Sequence, residues 1–159
     1  MMRSMTVTVR QATIQDLPAL VPLFDAYRQF YGVRSNNDTS LAFLLDRLER
    51  RESVILMAED QNRAAGFVQI FPSFSSIRAS RHGVLNDLYV APDFRRSGIA
   101  SRLLDAAAGY GRSMSIPVLS LSTAADNVVA QALYERKGWV RDDAFYTYHL
   151  SLEGSATPL

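Results

Sequence analysis

The feature that most constrains this chain lies between His82 and Arg112, where the hydrophobic pattern changes its period. His82 to Val90 reads as a strand, stopped by Ala91-Pro92, because a proline and the residue before it do not continue a central strand or start a helix in register. Gly98 to Arg112 then carries Ile99, Leu103, Leu104 and Ala107 on one face at helical spacing. A strand therefore feeds a helix amino terminus through a tight Arg95-Arg96-Ser97-Gly98 turn. A chain built around that unit belongs to the mixed α/β classes.

The remaining segments fit the same class. Residues 6–10 alternate with period two and read as a first strand. Thr13 and Asp16 give a helix start, and Leu17, Leu20, Val21, Phe24, Tyr27 and Tyr31 keep helical spacing as far as Gly32. After the polar turn 34–40, Leu41, Leu44, Leu45 and Leu48 mark a second helix ending near Arg51. Residues 54–59 and 64–71 read as two strands joined by the glycine-free turn Asp60-Gln61-Asn62-Arg63, with Pro72 ending the second. A short strand is expected over 117–122, a helix over 127–137 stopped by Gly138, and a terminal strand pair over 139–141 and 145–150. The predicted order, β-α-α-β-β-β-α-β-α-β-β, has seven strands and four helices. No repeat or linker divides it, so one domain is expected over residues 1–150, with 151–159 as a loose tail.

Composition narrows the chemistry. At 159 residues, 48% hydrophobic and 21% charged, the chain is long enough for an ordinary core. It contains no cysteine, which excludes disulfides, thiolate zinc sites and an acyl-cysteine intermediate. No metal site is expected. The net charge of +1 gives no reason to expect a nucleic acid or an anionic membrane as partner. No apolar run approaches the ~20 residues of a membrane span. Residues 1–10 lack the apolar centre of a secretory signal, so a cytoplasmic location is expected. Lys137 is the only lysine, a bias that would spare a lysine-modifying enzyme from itself and that genomic base composition explains more simply.

Any anion site must then be local, and the turn before Ile99 is where one would form. A helix amino terminus presents unpaired N–H groups and the positive end of the macrodipole. Gly98 has no side chain to obstruct a pyrophosphate, Ala100 has almost none, and Arg95 and Arg96 can add charge-assisted donors. A plain turn with two solvated arginines is the alternative. Other phosphate motifs fail: Gly109-Tyr110-Gly111 lacks the third glycine of a dinucleotide fingerprint, and no glycine is followed by Lys-Ser or Lys-Thr.

The stretch from Leu88 through Ala100 resembles the acetyl-CoA motif of the GNAT superfamily of N-acetyltransferases, Arg/Gln-x-x-Gly-x-Gly/Ala held by a preceding strand. A second block, Asn127, Ala130, Ala132, Leu133, Tyr134 and Gly138-Trp139, is similar to the next motif of that family at the usual separation. The two cover about the carboxy-terminal half of the chain. The resemblance implies a central mixed, twisted sheet of about seven strands flanked by about four helices, two parallel strands of which splay apart to admit the cofactor. It implies that Arg95, Arg96, Ser97, Gly98, Ile99, Ala100 and Ser101 hold the pyrophosphate of acetyl-CoA. The strand backbone at Leu88, Tyr89 and Val90 would run beside the pantetheine arm. Homodimers are common in the family, but nothing in the sequence identifies an interface.

Acetyl transfer from a thioester to an amine needs a neutral nucleophile, a stabilised oxyanion and a proton for the departing thiolate. Asn127 and Tyr134 are seven residues apart and so share a helix face. By analogy with the family, Asn127 would bind the pantetheine region and Tyr134 would protonate the sulfur, although a helix tyrosine can equally be a core aromatic. An alkylammonium has a pKa of ~10.4, so a base must free it for attack. Many family members carry a Glu-Asp pair where this chain has Asn86-Asp87, and Asn86 cannot be a base. Asp87 is the candidate base or ammonium-binding group, against a purely structural role, and His82 is a weaker candidate. Strict alternation would turn Asp87 away from the missing carboxylate's direction. Tyr27, Phe30 and Tyr31, with Tyr146 and Tyr148, are candidate acceptor-lining aromatics, and Asn86 borders the same place. The leading expectation is a small-molecule amine acceptor; a protein lysine or amino-terminal acetyltransferase and a non-catalytic acyl-CoA-binding module are the alternatives.

Overall fold

A computed structural model describes residues 6–154. The chain divides into two compact units, one ending at Ala124 and one beginning at Ala125. In the first, strand β1 (Val7–Gln11) leads through a short 3-10 turn, Ile14–Asp16, into helix α1 (Leu17–Phe30) and helix α2 (Asn37–Glu49). Strands β2 (Val54–Asp60), β3 (Arg63–Ser75) and β4 (Ser80–Val90) follow, then helix α3 (Ile99–Ser113) and the two-residue strand β5 (Leu119–Ser120). These strands form one sheet in chain order, antiparallel from β1 to β4 and parallel between β4 and β5.

The two faces of the sheet bury opposite parities of each strand, as period-two geometry requires. Ile55, Met57, Phe67 and Tyr89 cluster with Leu20 and Phe24 of α1 and Leu44 of α2. On the other face, α3 packs against β1 to β4 and buries Ile99, Leu103, Leu104 and Ala107. Gly66 permits a close approach there: a Cβ at this position would stand 2.6 Å from the Tyr89 carbonyl oxygen and 3.3 Å from Leu103.

The glycine-free β2–β3 turn closes because Gln61 and Asn62 both adopt left-handed φ, +49° and +65°, the geometry that matches the twist of a two-residue hairpin. Pro72 does not end β3, which runs on to Ser75 and pairs Pro72 with Gly83. The β2 partner of β3 stops at Val54↔Ile70. Beyond it β3 is an edge strand on that side, where a residue lacking an N–H is tolerated. The second helix starts earlier than its leucines suggest, because Asn36 caps it by accepting from the Thr39 amide at 3.0 Å.

A buried carboxylate ties α1 to the start of α2. Asp25 accepts from Ser35 Oγ at 2.7 Å, Gln29 Nε2 at 3.0 Å, the Asn36 amide at 3.0 Å and Ser40 Oγ at 2.9 Å. The Ser35 and Asn36 bonds, followed by that from Ser40, hold its pKa below the usual carboxylate value despite burial.

The second unit contains helix α4 (Val128–Arg136). The sheet has five strands among the described residues, against the seven expected, because 139–150 form no ladder there and are largely exposed. Residues 151–154 are exposed and irregular, and the rest of the expected tail lies outside the described residues, as do residues 1–5.

Candidate active site

The turn after β4 is built from main chain. Pro92–Phe94 forms a 3-10 turn, then Arg96 and Gly98 both take left-handed φ, +61° and +78°, before α3 begins. Ser97 Oγ donates to the Phe94 carbonyl and braces the turn. The amides of Arg96, Ser97, Gly98, Ile99, Ala100 and Ser101 find no acceptor among the described residues. Consecutive free N–H groups at a helix amino terminus are donors suited to a phosphate group. Nothing lies within 4 Å of a Cβ built on Gly98, so the space in front of the array is open.

Arg95 behaves differently from its neighbours. Its Nε donates to the Val90 carbonyl at 3.0 Å, and its guanidinium lies 5.6 Å from the centre of the Tyr89 ring and 6.0 Å from that of Phe30. It ties the turn to the end of β4 and the end of α1. Leu88 and Val90 are half-buried and Tyr89 puts its ring in the core. Beyond Val84↔Ser120, β4 has no strand partner on the β5 side among the described residues, which leaves its backbone from Leu85 to Val90 outside any ladder along that edge.

The acidic candidate sits at a kink in β4. Gln69 pairs with Asp87 and Ile70 with Leu85, leaving Asn86 as the extra residue of a β-bulge. The bulge breaks strict alternation: Asn86, although exposed, donates from Nδ2 to Asp87 Oδ1 at 2.8 Å. Asp87 is 3% exposed and accepts from Gln69 Nε2 at 2.5 Å, with Tyr27 as a further hydrogen-bond partner. Burial raises its pKa above the ordinary carboxylate value, and the bonds from Gln69, Asn86 and Tyr27 oppose that shift without cancelling it. Gln69 is itself fully buried, and its Oε1 has no partner among the described residues.

The structure thus brings Tyr27, Asn86 and Asp87 together and adds Gln69, which the sequence reading did not single out. The signal was present as one amide in the apolar run Gly66-Phe67-Val68-Gln69-Ile70. Tyr31 is 66% exposed and stands 5.1 Å from Tyr27, ring centre to ring centre. His82 lies elsewhere, near the start of β4, with Nε2 2.8 Å from Ser120 Oγ.

In the second unit, Asn127 is the N-cap of α4 and accepts from the Ala130 amide at 3.2 Å. Tyr134, later in the same helix, is half-buried with its ring centre 6.2 Å from that of Trp139. Tyr146 and Tyr148 are 88% and 90% exposed in the irregular segment.

Fold and turn together define a mixed α/β protein with an anion-binding helix amino terminus, and the comparisons give its class. Residues 20–139 match the acetyltransferase (GNAT) family. An uncharacterised N-acetyltransferase of Bacillus subtilis, YhfO, is 42% identical over 146 residues, covering 92% of this chain and 98% of that protein. The crystal structure of a probable acetyltransferase superposes with a TM-score of 0.87 at 41% identity, covering 93% of this chain and 99% of that one. An aminoglycoside N-acetyltransferase solved in complex with CoA shares the fold at 19% identity and a TM-score of 0.77, over 94% and 98% of the two chains. The chain belongs to the GNAT family and is an acetyltransferase.

Proposed function

We propose that the protein transfers acetyl from acetyl-CoA directly to a primary amine on a small molecule, working as one catalytic domain over residues 1–150. The observation that carries this reading is the run of six unpartnered amides from Arg96 to Ser101 in front of open space at Gly98. Those groups match the acceptor-rich diphosphate of CoA. The free edge of β4 suits the amide-bearing pantetheine arm, with Asn127 contributing its remaining side-chain donor. Acetyl-CoA supplies an acyl group activated as a thioester.

Asp87 acts on the acceptor. Its carboxylate, with a pKa raised by burial, attracts an alkylammonium and takes the proton whose loss frees the nitrogen lone pair. Tyr27 and Asn86 fix the carboxylate's orientation, and Tyr31 provides an aromatic face for a cation. As the C–N bond forms and the C–S bond breaks, Tyr134 gives its phenolic proton to the departing sulfur, and the second proton that the nitrogen sheds on becoming an amide restores the phenol through solvent.

The test is thiol release from acetyl-CoA with a panel of small amines, lysine peptides and protein amino termini. Small amines alone should stimulate release. Stimulation confined to peptides would transfer the reading to protein substrates, and CoA binding without stimulation by any amine would reduce the protein to a binding module.

A further inference from the structure

A second cavity lies in the first unit, at the end of β4 remote from the anion-binding turn. Its volume is about 870 Å³, within the range of small-molecule sites. Arg81 and His82 at the start of β4 line it, whereas the turn follows Val90, roughly 30 Å further along the strand at ~3.3 Å per residue. The wall is largely apolar, with Ile14, Leu48, Ile70, Tyr110, Met114 and Ile116 contributing to it.

Its charged groups have one sign. Arg51 and Arg81 both line the cavity, and no aspartate or glutamate does. Neither guanidinium has a hydrogen-bond or ion-pair partner among the described residues. Arg51 follows α2 in a left-handed conformation, φ +54°, a position where helices usually place glycine or asparagine. Ser53, 6% exposed, also lines the wall, and its buried hydroxyl has no partner among the described residues. A buried hydroxyl in the same cavity as two exposed guanidinium groups that no carboxylate neutralises there suits an acceptor of negative charge.

We propose that this cavity binds a small carboxylate with an apolar body, its carboxyl group held by Arg51 and Arg81 with a hydrogen bond from Ser53, and its hydrocarbon part against the Ile70–Tyr110–Met114 wall. The site is separate from the acetyl-transfer site and does not depend on the roles given to Asp87 and Tyr134.

Calorimetric titration of the full chain with phenylacetate, 3-phenylpropionate and hexanoate, and with phenylacetamide as the neutral counterpart of the first, tests it. At least one carboxylate should bind with Kd below about 1 mM, and the amide at least tenfold more weakly than phenylacetate, about one decade of affinity. Saturating CoA should leave that binding intact. Arg51→Gln with Arg81→Gln should weaken it about tenfold or more, and Ser53→Ala less, while CoA affinity stays unchanged as a check on folding. Binding by none of the three carboxylates, equal affinity for acid and amide, displacement by CoA, or indifference to the double arginine substitution in a variant that still binds CoA would each overturn the proposal.

Discussion

Gln69 Nε2 stands 2.5 Å from Asp87 Oδ2, and the pair is buried across neighbouring strands at the bulge that releases Asn86. A carboxylate in such a place is charged at a cost, since burial opposes ionisation more strongly than its donors favour it.

Asp87→Asn follows from that balance. A carboxyl whose folded pKa lies above its unfolded value stabilises the fold fully below the unfolded value. That contribution is lost as pH rises through the folded value. Thermal melts at a series of pH values should therefore show the wild type losing ground to Asp87→Asn as pH rises from ~4, the unfolded range of an aspartate. Acetyl transfer by the variant should fall about 10²-fold or more, as expected for loss of a general base. A variant as active as the wild type would remove Asp87 from the chemistry.

Gly98→Ala separates cofactor binding from folding. No described residue comes within 4 Å of the added Cβ, so the fold survives, at about 1–2 kcal/mol for an L-residue held at φ +78°. The methyl group would sit at the mouth of the donor array. CoA affinity should drop at least tenfold by calorimetry, about 1.4 kcal/mol.

Tyr134→Phe removes a hydroxyl while keeping the ring that neighbours Trp139. Acetyl-CoA should bind as before, while kcat falls about 10²-fold, with a weaker effect for acyl donors whose leaving thiol is more acidic. Equal losses across such donors would mean that the phenol does not protonate sulfur.

Asp25 provides a pH dependence of the opposite sense. Its folded pKa is lowered by Ser35 first and by the Asn36 amide next, so its contribution is present above the unfolded pKa and disappears as pH falls through the folded one. Asp25→Asn should lower the melting temperature at pH 7 and narrow the gap to wild type in acid. A constant difference from pH 7 to pH 3 would contradict this.

The sequence was legible wherever one periodicity dominates. The β1 to α3 elements appear near their predicted positions because alternation and helical spacing report which side of each residue is buried. Four features escaped. The β3 strand continues through Pro72 because its neighbour β2 ends first, a fact of pairing rather than of composition. The kink at Asn86 is a register shift between β3 and β4, invisible until both strands are aligned, and it joins the side chains of Asn86 and Asp87 where alternation predicted separation. Gln69 matters through a neighbour eighteen positions away in the chain. The anion-binding turn was readable because its glycine and its place before a helix are local; the reversal of Arg95 onto Tyr89 and Phe30 was not, since it depends on where α1 ends.

A grip made of peptide N–H groups has no side-chain identity to lose. Exchanging the side chain of Arg96 for another that accepts its left-handed φ, or that of Ala100 for another small one, leaves the donors where they are, whereas a proline anywhere in that stretch deletes one outright. Selection on cofactor uptake should therefore act on the path of the backbone, and a search of variants for weakened uptake should return prolines and Gly98 replacements ahead of charge losses at Arg96.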